Sequence, residues 1–255
     1  MTAEKKCVAI LEKLYNKAKS NLENKFTSNP IIFKKIDYVA RCSTNRAAIR
    51  LLMSCLLAKI HKPKVDIRKP YTEIKGRDIF SGRTYDEQYL SNLINKYELP
   101  CNSTTAFLTP ALRNINRTLT LKVELVGRPR DVYKDILFLL DTVHKRTVTS
   151  ETMLLDCIRI LIKVKNENAK RLNTLMSGLK TSKDKSHLSV EDIINLLTQH
   201  LACKKSSRLS VLIVAAAYKS AEKYLKQKVL SLKSHTAADK QTKALGDVEI
   251  TLDRP

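Results

Sequence analysis

Tryptophan is absent from this chain of 255 residues, and glycine (5), phenylalanine (5) and proline (7) are scarce. So few glycines exclude a glycine-rich barrel, and a 43% hydrophobic content excludes general disorder, leaving a helical globular protein. Long apolar runs are missing as well. Stretches such as LLMSCLLA (51–58) and VLIVAAAY (211–218) are far too short to cross a bilayer, so no membrane partner is expected. The opening MTAEKKCVAILEKLYNKAK mixes charge with apolar residues at helical spacing and is no signal peptide.

Paired metal-binding spacings are also lacking. The cysteines (Cys7, Cys42, Cys55, Cys101, Cys157, Cys203) form no C-x-x-C, and none has a histidine at zinc-finger distance. They read as reduced, mostly buried thiols of a cytoplasmic protein. His61, His144, His187, His200 and His235 show no H-x-H or H-E-x-x-H pattern, although His235 lies in the segment leading to the last acidic strand. Without a Walker loop or G-x-G-x-x-G, nucleotide hydrolysis has no support.

Acid is in short supply against base: 25 Asp and Glu face 47 Lys and Arg, giving a net charge of +22. The excess is not a tail, because from Leu201 onward 11 basic residues face 5 acidic ones, leaving 36 against 20 in the first 200. A polyanionic partner follows, since Lys and Arg displace the condensed counterions of nucleic acid. A ribosomal or membrane-surface protein shares this balance.

Apolar periodicity predicts helices over 4–25, with Val8, Leu11, Leu14, Tyr15 and Ala18 on one stripe, and over 31–41. A third, capped by Ser43 or Thr44, runs to Pro63. Residues 62–84 carry two prolines, two glycines and no period, which predicts a long ordered loop. Helix follows from Tyr85, a short helix starts near Ser103, and LKVELVGRP suggests an extended piece before Gly127. From Pro129 the pattern is helical to Gly178, and 180–188 form a linker. Helices then start at Ser189 and after Ser206, the latter with an apolar first half that reads as buried nearly all round. Strands are expected only at 229–232 and 247–252.

Helix, strand, loop and acid-bearing strand form the opening half of a PD-(D/E)-x-K-type nuclease core. That chemistry needs carboxylates to hold Mg²⁺ and a lysine near the attacked phosphate. Asp247 fits the first acid. Glu249, two residues on, falls on the same strand face. Glu222, on the preceding helix, is a further candidate metal ligand, and also a plain surface partner for Lys226 at i+4. An Asp-x-Glu pair is equally what a solvated edge strand carries. Upstream, Asp66 followed by Glu73-Ile74-Lys75 repeats the acid and acid-x-lysine order, but Pro70 interrupts it and Glu-x-Lys triplets are common in so lysine-rich a chain. Arg68, Arg77 and Arg83 in the long loop suit contacts with phosphate or guanine, or structural ion pairs.

Several longer phrases, NRAAIRLLMSCLLAKIHKPKVDIRKPYTEI, FSGRTYDEQYL, LPCNSTTAFLTPALRN, LVGRP, HLACKKSSRLSVLIVAAAY and SHTAADKQTKALGDVEITL, resemble the SacI family of type II restriction endonucleases over nearly all of 30–252. The resemblance implies an Mg²⁺-dependent enzyme that cuts double-stranded DNA at a short specific site, accompanied by a cognate DNA methyltransferase. By family analogy a palindromic site implies a homodimer. It also assigns Asp247, with Glu249 beside it, to the metal and catalytic position. Members of the family carry the acid-x-lysine on the following strand, whereas Pro255 stands six residues after Glu249. The expectation is therefore a frame ending before the catalytic lysine, and a chain that binds DNA but cuts it slowly or not at all.

The sequence thus predicts a mostly α protein: a basic, DNA-binding helical region over 1–188, then an incomplete α/β nuclease core over 189–255. The alternatives are a catalytically inactive DNA-binding remnant and a non-enzymatic, basic helical RNA-binding scaffold.

Overall fold

Residues Arg46–His61 form α3, whose segment Ala47–Ala58 is buried on every side. A helix apolar all round belongs at the centre of a core, and in the computed structural model of the chain α1 (Ala3–Ser20) and α2 (Pro30–Arg41) pack directly on it. The structure describes residues 3–102, 104–182, 189–201, 207–230, 232 and 248–252. It is mostly helical, and no described helix is long and apolar enough to cross a membrane.

Local chemistry sets the helix boundaries. Asn29 starts α2 by accepting from the N–H groups of Ile31 and Ile32, with Pro30 in the first turn where its missing donor costs nothing. Asn45, rather than Ser43 or Thr44, caps α3 through the N–H of Ala48. The α1 stripe buries Leu11, Leu14, Tyr15 and Ala18 as expected, with Cys7 in place of Val8, which is half-buried. Tyr15 stacks on Tyr97 at 3.5 Å between ring centres.

Past the loop, helix resumes as α4 (Gly82–Thr84), a π-helical turn (Tyr85–Leu90) and α5 (Ser91–Tyr97). The wide turn accompanies a buried polar cluster. Asp86, fully buried, pairs with Arg50 of α3 and accepts from Thr105 Oγ1 (2.6 Å) and Ala106 N (2.8 Å). Arg50 also reaches the Asn102 carbonyl at 2.7 Å and Ser91 Oγ. One ion pair therefore ties α3, the π turn and the 102–106 segment together. Thr105, not Ser103, starts the short 3₁₀ turn Ala106–Leu108, and no strand forms over 121–127.

Helices α6 (Arg130–His144) and α7 (Ser150–Ser182), the latter as far as Ser177, complete the first unit. Asp156 of α7 accepts from the N–H groups of Phe26 (3.2 Å) and Thr27 (2.7 Å) and pairs with Arg159, which donates to the Leu22 carbonyl at 2.9 Å. The link between α1 and α2 is thereby fastened to α7. Cys7, Cys55 and Cys157 are buried, and desolvation raises the Cys7 thiol to about 11, so these thiols are inert packing groups. Cys203 and Ser103 lie outside the described residues.

The chain divides into compact units at Met1–Ser177 and Gly178–Pro255. In the second, α8 (Val190–Leu201) packs on α9 (Ser207–Leu225), and α9 on β1 (Gln227–Val229), which pairs antiparallel with β2 (Ile250–Leu252). Contrary to expectation, the first half of α9 is not enclosed: Ala215 is buried, but Leu212 and Val214 are 52% and 45% exposed. Among the described residues of this unit, α9 packs on α8 and β1, which leave part of its circumference uncovered. The expected 180–188 linker falls largely on 183–188, outside the described residues.

Candidate functional site

The 62–84 segment is a loop without strand or helix as far as Ser81, and its order comes from internal hydrogen bonds. Asp66 N donates to the Asp78 carbonyl (2.8 Å), Phe80 N to Lys69 (3.2 Å), Gly82 N to Pro70 (2.8 Å), and Leu119 N to Arg68 (2.8 Å). Lys69 grips Asp78 through both carboxylate oxygens at 2.8 and 2.9 Å, which lowers the Asp78 pKa. These bonds turn a proline-interrupted stretch into a rigid platform.

A cleft of about 180 Å³ opens beside this platform. Tyr71 and Phe107 meet edge to face at 5.9 Å, and Tyr71 Oη donates to the buried Leu112 carbonyl at 2.9 Å. Arg83, Arg113, Asn114, Asn116 and Glu73 supply the polar wall. Asn114 and Asn116 both adopt positive φ, 59° and 46°. Asparagine tolerates that left-handed conformation better than most residues, so this turn presents two amides and a guanidinium from four consecutive positions. Gly82 fits beneath because it has no side chain: a Cβ there would lie 2.3 Å from Phe107 Cζ and 2.8 Å from Pro70 Cβ. Gly82→Ala is accordingly expected to cost about 1–3 kcal/mol through overpacking. Urea unfolding would measure it, and a loss below about 0.5 kcal/mol would mean that the aromatic wall yields freely.

The three loop arginines occupy different environments. Arg68 is committed: Nε and Nη2 contact Asp66 at 3.1 and 2.9 Å, and Nη1 lies 3.7 Å from Asp141. Burial works to raise the Asp66 pKa, but the bonds from Arg68 prevail and leave it lowered. Arg68 thus holds the loop against α6. Arg77 is exposed. Arg83 is exposed too, with Nε 2.8 Å from Glu87 one helical turn on, a surface pair weak enough to exchange for a phosphate. Arg113 makes no ion pair among the described residues.

The upstream acid and acid-x-lysine series does not assemble. Asp66 is taken up by Arg68 and lies 3.3 Å from His144 Nδ1, while Glu73 belongs to the cleft wall. Among the described residues no group of three His, Cys, Asp or Glu side chains is placed to hold a metal ion. His61 Nδ1 lies 2.8 Å from Tyr85 Oη, whereas His187 and His235 lie outside the described residues.

At the C-terminal hairpin, pairing begins two residues earlier on β1 than the apolar VLSL run suggests. Gln227 faces Leu252, Lys228 faces Thr251 and Val229 faces Ile250. Lys226, at φ 49°, ends α9, and Glu222 Oε1 accepts the Val229 N–H at 2.7 Å, bracing the strand against the helix. One Glu222 oxygen is thus engaged in structure. Glu249 precedes β2, half-buried, with its carbonyl accepting from Leu230 N at 2.9 Å. Strand alternation sets Glu249, Thr251 and Lys228 on one face of the ribbon. Asp247 lies outside the described residues.

No family model and no curated protein matches the chain.

Sequence reasoning passed over Arg113, Asn114 and Asn116. Their signal was present in TPALRNINR, where asparagines close behind a proline mark a turn that tolerates left-handed backbone. That the turn borders the long loop depends on tertiary packing.

Proposed function

We propose that the chain binds double-stranded DNA as a type II restriction endonuclease of the SacI-like class. The observation that carries the reading is the cleft in which Arg83 and Arg113 stand beside Asn114 and Asn116, on a chain of net charge +22. Arginine pairs with phosphate or the guanine edge through two parallel bonds, and asparagine pairs likewise with adenine, so this wall carries the donor types that duplex recognition uses. Arg77 extends the same loop. The long phrases that resemble the SacI family suggest the same class.

Hydrolysis belongs to the acids that precede β2 in the sequence. Carboxylate oxygen is the donor that Mg²⁺ takes, and Asp247 and Glu249 would hold it; Glu222, with one oxygen engaged, serves better to brace the strand. When bound, the ion supplies Lewis-acid stabilisation to the attacked phosphate. The chain's own contribution is to fix the β2 backbone through β1 and α9, so that Glu249 keeps its face. In this reading a homodimer acts on a palindromic site in the cytoplasm, paired with a protective methyltransferase.

The test incubates purified protein with mixed-sequence plasmid at low salt, in Mg²⁺ or EDTA, beside an Asp247→Ala variant. Discrete Mg²⁺-dependent fragments that disappear in the variant are the expected signature of a working nuclease. Intact but retarded plasmid in both buffers would retain the DNA-binding half of the proposal and remove the hydrolytic half. Plasmid neither cut nor retarded, with RNA bound instead, would overturn both.

A further inference from the structure

A second basic cavity, of about 240 Å³, lies away from the cleft, where the end of α2 meets the start of α3 and the middle of α7. Arg41, Arg46 and Arg171 line it with Ser43, Asn168 and a single acid, Glu167. Glu167 is spent on Arg41, which it holds by two bonds of 2.8 and 3.0 Å while Asp37 takes the Nε at 3.0 Å. The hydrogen bond to Glu167 is the main reason that the Arg41 pKa is raised and that of Glu167 lowered. Arg41 is thus fixed in place. Arg46 and Arg171 are exposed and make no ion pair among the described residues.

Arg171 adds a Coulombic pull to that of Arg41 on Glu167, but neither it nor Arg46 is bonded to a carboxylate, so three guanidinium groups face one acid in a concave site and leave a positive surplus that low-dielectric walls concentrate. The carbonyl end of α2 and the amide end of α3 both border the cavity, so their dipoles oppose each other and the side chains carry the attraction. Arginine presents a planar fork that matches tetrahedral oxyanions, and Ser43 and Asn168 add neutral donors. A carboxylate ligand would use one fork. A phosphate monoester, with three terminal oxygens and close to two charges, uses both and matches the surplus.

We propose that this cavity is a binding site for a phosphate monoester group, supplied either by the terminal phosphate of a nucleic-acid strand or by free phosphate. It shares no lining residue with the cleft and does not depend on hydrolysis at the acids before β2. The duplex backbone itself carries diesters of single charge, which distinguishes this site from general DNA binding.

The test titrates the full chain with inorganic phosphate by calorimetry, and with short duplexes bearing either a 5′-phosphate or a 5′-hydroxyl by fluorescence anisotropy. The variant is Arg46→Ala with Arg171→Ala. A charge-matched control, Lys13→Ala with Lys19→Ala, alters only exposed positions of α1. Thermal unfolding of both checks that the fold is kept.

Saturable phosphate binding that weakens about a hundredfold in the double variant, and stays unchanged in the control, is the expected result. A 5′-phosphate preference that vanishes in the pocket variant assigns the site to strand ends. Phosphate binding without that preference assigns it to the free anion. The proposal is overturned if phosphate does not saturate, or if the pocket variant and the control weaken equally.

Discussion

Asp86→Ala lowers the unfolding free energy by about 3–5 kcal/mol, the cost of leaving a buried charge without its partner. Arg50 is 1% exposed, so it cannot turn to bulk solvent for the acceptor it loses. The N–H of Ala106 and the hydroxyl of Thr105 lose their acceptor at the same time. At about 2–4 °C per kcal/mol for a chain of this size, thermal unfolding should fall by some 6–20 °C. Adding Arg50→Met removes the orphaned charge, so the double variant should be less damaged than the two single losses summed. Additivity within about 0.5 kcal/mol would mean that each side chain acts alone, and the description of the cluster as one unit would be wrong.

That cluster also marks how far the sequence could be read. The period of 3.6 residues located every long helix, while the central place of α3 went unread although NRAAIRLLMSCLLAKI is mostly apolar. Arg50 and Asp86 drew no notice in RAAIRLLM and RTYDEQYL, because nothing local says that two charges will be enclosed together. Boundaries failed where a left-handed residue other than glycine intervened: Lys226 closes α9 with no glycine to announce it, and pairing starts at Gln227 instead of Val229.

The candidate sites divide along the same line. Proline and glycine made the 62–84 segment legible as a loop, which holds as far as Ser81. Which of its arginines remain available was not legible, because Arg68 is consumed partly by Asp141, on a helix far along the chain. Exposure of Leu212 and Val214 in α9 was equally hidden, since an apolar run states that burial is favourable without stating that enough neighbours exist to provide it.

DNA affinity should collapse with salt, and the size of the collapse reports how many cations engage the backbone. Some 6–10 phosphate contacts lose about 10³–10⁵ in affinity between 50 and 200 mM salt, because each neutralised phosphate releases condensed counterions. Filter binding in EDTA measures this without cleavage. If Arg83 and Arg113 meet phosphates, replacing both with alanine should reduce the slope by about 2 and weaken all sequences alike. Asn114→Ala should leave the slope unchanged, since an amide releases no counterion, and should flatten the preference for one duplex sequence over another by roughly 1–3 kcal/mol at the affected base. The two variants therefore separate the terms of recognition inside one cleft: positioning on the backbone from the arginines, selection from the turn that holds the asparagines. An Asn114→Ala variant that changed the slope, or an Arg83→Ala/Arg113→Ala variant that left it intact, would reverse those roles; a binding constant indifferent to salt would remove duplex DNA as the partner of this surface.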